Sequence, residues 1–494
     1  MLDATQRAKL GVVLVNKDET MTYTQASPAP YYKEETLALL GVNWWYDYLA
    51  EAPLVVNFSA QEDRKLFGHW RLTAAKTAAS ISTEAAAAKA AYGSGGPVYW
   101  YLSNEPNNAA QSNTAAVDFA PLYKKYRDAI LAGDPDAKIV GPALVWWDEG
   151  HIYSDFPGVT AWLHSVGHSY GKEWYEAFRA EYFSLYGLYP PMDVFNIHLY
   201  DFHLLGASRT GVEVTAIMDE YHDVEADLLT WPETAGLPIW VTELGIPNFN
   251  NVTLTDNQRV DFLHQVLDTL SGQTEVERIF WFLVHRDFAG LEWGETSELL
   301  ASPDVLNVLG AQFRGLAKGH YAVSTTADTP DANPGDGICN DGTGHCSLRA
   351  AIEEANTSAG MDTIGFYFPT GHTSHSDPDG TAGTGDEYYH LLLGGTPLPA
   401  LQQPLFINGL LQPDASCGGN TITTTLPGGE GRKIAGVNIL LDFGGLAAGT
   451  PVFSATNSNA ELWLQGVQLL NSPTRQLLTG GKTRIGCSFF WTTN

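Results

Sequence analysis

YWYLSNEPNN, residues 99–108, is the stretch on which the reading of this chain turns. Four aromatic or apolar residues run into Ser103, Asn104 and Glu105, and Pro106 closes the exit. A strand leaving the core into a turn fits this pattern. So does a strand that delivers a carboxylate to the mouth of a barrel. The surrounding sequence separates the two.

Seven other apolar segments resemble the run before Ser103. They lie at 9–16, 40–48, 53–59, 138–147, 193–201, 238–245 and 278–286. Each is apolar on both faces, as expected of strands in a parallel sheet covered by helices. Helical patterns fall between most of them, at 73–92, 118–133, 172–187 and 255–272. Eight strand–helix repeats predict an α/β fold, a (β/α)8 TIM barrel, over residues 1–320. A doubly wound open sheet fits less well, because no glycine-rich phosphate loop follows the first strand.

The 494 residues exceed one ordinary core, which favours two domains. A formal charge of −29 argues against nucleic acid and anionic membranes as partners. No apolar run is long enough to span a membrane. Aromatic residues make up 12% of the chain, more than usual, and offer flat surfaces for a ligand.

Catalytic side chains of such barrels sit at the carboxyl ends of the strands. The fourth strand ends in Asn104 and Glu105, the seventh in Thr242 and Glu243. Asn196, His198 and Tyr200 alternate along the sixth and share a face. Trp44, Trp45 and Asp47 come from the second, Trp146 and Trp147 from the fifth, and Trp281 from the eighth. Asp148 and Glu149 read as a solvated loop, and His285, Arg286 and Asp287 as a structural ion pair at the mouth. Two carboxylates facing each other among aromatics suit glycosidic bond cleavage. One protonates the leaving oxygen and the other attacks or stabilises the oxocarbenium-like centre. No strand ends in a lysine for Schiff-base chemistry, and the histidines are too scattered for a metal centre. Neither a cofactor nor a metal is expected.

The motifs resemble glycoside hydrolases of clan A, in particular the looser glycosyl hydrolase catalytic core group, over about residues 9–315. SNEPN matches the clan's acid/base motif at Asn104–Glu105–Pro106, and VTELG matches its nucleophile motif at Glu243. The resemblance implies a retaining β-glycosidase or endo-glycanase acting on a carbohydrate by double displacement. Glu105 would be acid/base, Glu243 nucleophile, and Asn104 the partner of the sugar 2-hydroxyl. Tyr200 or His198 would bond Glu243. Trp281 would floor the sugar site, with Trp44, Trp45 and Trp146 as further sugar contacts. Many clan members carry an arginine at the end of strand two. This chain has GVNWWYDY there, leaving Asn43, Trp44 or Asp47 to replace it. A transglycosylase and a non-catalytic carbohydrate-binding or adhesion protein are the alternatives.

From residue 321 the chain turns to Gly, Thr, Asp and Pro, with short strand patterns and one helical stretch at 347–356. A mostly-β domain over 321–494 is expected. CSLRA at Cys346–Ala350 resembles the CSLREA segment that opens right-handed parallel β-helices of secreted and surface proteins. That resemblance implies a partial β-helix with a helical cap, serving cell-surface attachment, and a secreted or surface location. Few coils follow, as in a solenoid cut short. Cys339 and Cys346, flanking a tight loop, are the disulfide candidates. Asp328, Asp331, Asn333, Asp336 and Asp341 fit no EF-hand spacing and read as a solvated acidic loop.

Overall fold

The computed structural model describes residues 1–14, 34–46, 64–92, 95–149, 163–200, 214–246, 254–284, 297–302 and 305–369. Beyond these it describes 372–381, 384, 386–413, 415–417, 421–427, 429–456, 460–473, 478–479 and 481–491. Two compact units emerge. One comprises Ala4–Leu254 and Gln265–Asp304. The other comprises Met1–Asp3, Thr255–His264 and Val305–Asn494.

The first unit is built on one eight-stranded parallel sheet. Its strands are β1 Leu10–Val13, β2 Trp44–Tyr46, β3 Arg64–His69, β4 Tyr99–Leu102, β5 Lys138–Val140, β6 Phe195–Tyr200, β7 Ile239–Gly245 and β8 Val276–Trp281. Parallel bridges Val140↔Val194 and Leu144↔Ile197 join its two ends into a barrel. Seven of the eight expected segments contain a strand. The third strand is RKLFGH, residues 64–69, whose polar start hid it. The expected segment at 53–59 lies outside the described residues.

The interior is aromatic because the strands are buried on both faces. Tyr46, Tyr101, Trp240 and Phe280 fill its centre. Gly68 in β3 makes room for this, since a Cβ there would lie 1.7 Å from the Tyr101 ring. At the amino end of the strands, Trp44 stands edge-on to Tyr99 and Trp240, and the Arg278 guanidinium lies over its ring at 4.6 Å. This layer plugs that end of the barrel.

The second unit is mostly β, as expected. Strands Tyr321–Val323, Asp362–Phe366, Leu405–Asn408, Glu461–Gln465 and Lys482–Gly486 form one parallel sheet. Tyr388–Leu392, Ile439–Asp442, Val467–Leu470 and Phe489–Trp491 form another, with His375–Ser376 antiparallel at its edge. From Asp362 onward the chain visits the two sheets in turn. Their facing sides enclose an apolar core of Ile364, Ile407, Leu441, Leu462 and Leu469. Helix Leu348–Ala355 is capped by the Ser347 hydroxyl, which accepts from Ala350 N, and adds Leu348, Ile352 and Ala355 to that core.

Cys339 and Cys346 are bonded as expected. A second disulfide, Cys417–Cys487, was not legible from spacing. In the acidic loop the carboxylates serve the protein itself. Asp331 accepts from the amides of Asn333 and Asn340, Asp336 from Ile338 N, and Asp328 pairs with Arg349.

Candidate active site

Strand β4 stops at Leu102, and the next three residues take an unusual path. Ser103 and Glu105 both have positive φ, at 84° and 41°, and Asn104 lies between them. Such conformations cost energy in non-glycine residues and persist only where the surroundings enforce them. Here the backbone does so: Ser103 N donates to His69 O, Asn104 N to Trp70 O and Glu105 N to Ala143 O. The strand end is thereby gripped from both neighbours, and Glu105 is held in the mouth, buried.

Strand β7 reaches the same mouth by a different device. The β6–β7 register passes from Ile197↔Val241 to His198↔Glu243, so Thr242 is an extra residue in a bulge. The bulge changes which side chains of β7 meet β6. Thr242 and Glu243 both contact the row of Asn196, His198 and Tyr200.

The resulting cluster is dense and almost wholly buried. Glu105 Oε1 lies 2.9 Å from His198 Nδ1, and Glu105 Oε2 accepts from Asn108 Nδ2 at 2.6 Å. Glu243 Oε2 accepts from the Tyr200 hydroxyl at 2.5 Å, and Oε1 from the Tyr46 hydroxyl at 3.3 Å. His198 Nδ1 is also 3.4 Å from Glu243 Oε2. An oxygen of Glu105, an oxygen of Glu243 and a ring nitrogen of His198 all lie within 4.8 Å of one another. Burial opposes a charge on His198, yet the carboxylates of Glu243 and Glu105 outweigh it and hold the imidazole above its ordinary pKa. Burial, reinforced by Glu243, pushes the Tyr200 phenol far up, so it remains a hydrogen-bond donor.

Glu105, His198 and Glu243 are also the one wholly buried trio with the spacing of metal ligands among the described residues. Both ring nitrogens of His198 are already engaged, one by Glu105 and one by Thr242, which fits a hydrogen-bond network rather than a coordination shell.

The structure thus brings Glu105, His198, Tyr200 and Glu243 together, with Asn104 beside Glu105 at the end of β4. Several expected sugar contacts lie elsewhere. Trp44 belongs to the plug at the opposite end of the barrel. Trp45 alternates away from the interior and packs under Lys65 Nζ, 5.1 Å from its ring. Trp281 has no exposed surface, and its Nε1 donates to Ser297 O. Its successor Phe282 is the ring beside Tyr200, at 6.2 Å between centroids. A period-two strand exposes alternate residues, so an error of one position moves an aromatic out of the mouth. Trp146 remains near it, half-buried, with positive φ and edge-on to His168. Trp147 is tied to the helix Val214–Thr230 by bonds to Glu220 and Asp227. Asp148 is half-buried and Glu149 exposed. Asp47, His285, Arg286 and Asp287 fall outside the described residues.

Tyr46 was missed. It stands where an arginine was expected, and neither exposed Asn43 nor Trp44 takes that place. Its hydroxyl reaches Glu243 Oε1 and also donates to Thr242 O at 2.8 Å. The alternation Trp44, Trp45, Tyr46 signals it once Trp44 is placed inside. Asn108 was missed too, because its role depends on the turn after Pro106.

A family model described as glycosyl hydrolase catalytic core matches residues 35–313. Among solved structures, the chain is similar to a GH128 (subgroup II) endo-β-1,3-glucanase from Sorangium cellulosum, with 17% identity, 62% of this chain and 98% of that one covered, and a TM-score of 0.44. It is similar to the subgroup II enzyme from Pseudomonas viridiflava at 21% identity, with 63% and 98% covered and a TM-score of 0.41. A subgroup I endo-β-1,3-glucanase from Amycolatopsis mediterranei, in complex with laminaritriose, is similar at 17% identity, with 63% and 99% covered and a TM-score of 0.40. No curated protein matches the chain.

Proposed function

The chain belongs to the glycosyl hydrolase catalytic core family, and from that premise we propose that it hydrolyses β-glycosidic bonds of a polysaccharide or oligosaccharide with retention of configuration. Glu105 is the acid/base and Glu243 the nucleophile. The observation that carries this reading is the approach of the two carboxylates to within 4.8 Å at their nearest oxygens. Between carboxyl groups, retaining pairs stand about 5–5.5 Å apart and inverting pairs about 6.5–9.5 Å, to admit a water, so oxygens this near support the shorter spacing.

Glu105 gives its proton to the glycosidic oxygen while Glu243 attacks the anomeric carbon. The bond to the leaving sugar breaks, and a glycosyl ester forms on Glu243. A water then gives its proton to Glu105 and its oxygen to the anomeric carbon, which frees Glu243. The Tyr46 and Tyr200 hydroxyls aim the nucleophile. Among the described residues nothing hydrogen-bonds the buried Asn104 Oδ1, which a sugar hydroxyl can satisfy.

Residues 321–494 belong to a right-handed parallel β-helix with the Leu348–Ala355 helix as its cap, used for attachment to a surface. The alternate visits to two parallel sheets support this. Two disulfides support secretion or surface display, since they persist in oxidising compartments.

The test is a panel of β-linked polysaccharides, β-1,3- and β-1,4-glucans included, with products followed by proton NMR from the first minutes. The β-anomer is expected first. The α-anomer appearing first overturns retention. Binding without any product turns the reading to a non-catalytic carbohydrate binder.

A further inference from the structure

Four buried side chains in the mouth determine where one proton sits. The inference rests on Glu105 being the acid/base. Thr242 Oγ1 donates to Asn196 Oδ1 at 2.6 Å. The Asn196 amide is oriented by its Nδ2, which faces Gly141 O at 3.4 Å; turned over, it would set two oxygens against each other. A threonine hydroxyl has one hydrogen. With that hydrogen on Asn196, Thr242 Oγ1 can only accept. His198 Nε2, 3.1 Å away, must therefore carry a hydrogen in every state. Nδ1 is left as the ring position that gains and loses a proton, and it faces Glu105 Oε1 at 2.9 Å.

We propose that Thr242 and Asn196 are positioning residues that lock His198 as the Nε2–H tautomer, so that His198 Nδ1 and Glu105 Oε1 share a single proton, the one used on the substrate. With the lock in place, neutral His198 accepts from a protonated Glu105. Imidazolium His198 donates to an ionised Glu105. Both arrangements hold one proton between the same two atoms, and both leave it facing the mouth. The groups that bear on it are Glu243 on β7, 3.4 Å from Nδ1, and through Glu243 the hydroxyls of Tyr200 on β6 and Tyr46 on β2. Past β5 lies His168, whose pKa burial lowers although Glu105 raises it; its Nδ1 accepts from Ala109 N.

Removing the lock frees neutral His198 to adopt the Nδ1–H tautomer. It then donates permanently to the Glu105 carboxylate, and the protonated acid loses its acceptor. Nitrogen-15 spectra of imidazole-labelled protein read this directly, the His198 signals being those absent from His198→Gln. Wild type and Thr242→Ser should show Nε2–H in the neutral ring. Thr242→Val should show Nδ1–H. Asn196→Leu should do the same by a second route, since it frees the threonine hydrogen to donate to Nε2. In kcat/KM, the alkaline limb should fall by about one pH unit in Thr242→Val and Asn196→Leu, and stay in place in Thr242→Ser. An unchanged tautomer in both lock-breaking variants overturns the proposal, as does Thr242→Ser behaving like Thr242→Val. Absence of turnover in the wild type as well, alongside the expected tautomer contrast, leaves the lock standing and overturns the glycosidase reading instead.

Discussion

Buried carboxylates occur in both units, and they are satisfied in opposite ways. In the second unit, Glu354 accepts from the backbone amides of Gly335 and Gly337, and Asp331 from those of Asn333 and Asn340. Backbone donors cannot give up or take on a proton, so these contacts fix a loop. In the barrel, Glu105 and Glu243 are met by His198, Asn108, Tyr46 and Tyr200, side chains on two strands and a turn. Most of those partners can titrate or move. The difference separates a carboxylate that holds structure from one whose partners suit it to chemistry.

The sharpest way to break this comparison is to neutralise the two barrel carboxylates in turn. Glu243→Gln should lower kcat at least about a thousandfold while the circular dichroism spectrum and Tm stay near wild type. Glu105→Gln should match it on a polysaccharide but lose less on an aryl glycoside, whose leaving group needs no proton. Equal losses on both substrates would remove Glu105 from the acid role.

A second contrast concerns covalent support. Residues 1–338 contain no cysteine, and both disulfides lie in the second unit. Cys417–Cys487 closes a span of 70 residues, so Cys417→Ser should destabilise that unit by about 2–4 kcal/mol, read by chemical denaturation. Glycosidase kcat should not change. A loss of activity parallel to the loss of stability would tie the mouth to the second unit.

The smallest effect is a pH dependence. Burial raises the Asp331 carboxyl to about 6, although the amides of Asn340 and Asn333 pull it down. A folded-state pKa above the unfolded value means that the folded chain binds the proton more tightly between the two. Stability of this unit should therefore fall as pH rises from about 4 to about 6, by no more than about 2 kcal/mol, and then level off. Asp331→Asn should flatten that slope in denaturation midpoints measured across the range. An unflattened slope would assign the dependence to another group, with Glu354 and Asp362, both raised by burial, the next to examine.

Much of the fold was written in local pattern. Apolar runs of strand length alternating with helical periodicity determined a parallel barrel, because burial on both faces leaves few other solutions. The positions of Glu105 and Glu243 at the ends of the fourth and seventh strands followed from the same count, even though one strand was assigned to the wrong segment. The alternation of Asn196, His198 and Tyr200 followed from a period of two.

What the tertiary structure decided is which neighbour each side chain meets. Tyr46 in place of an arginine depends on β2 and β7 converging across the barrel, a distance in space that no local pattern records. Trp44, Trp45 and Trp281 were legible as aromatics but not as plug, outer wall and buried indole, since strand register and strand end set those fates. The bulge at Thr242 and the positive φ at Ser103 and Glu105 are likewise conformations imposed from outside. Residue chemistry marked the two carboxylates; only packing could bring Asn196, Thr242 and His198 into the hydrogen-bonded row that ends on Glu105.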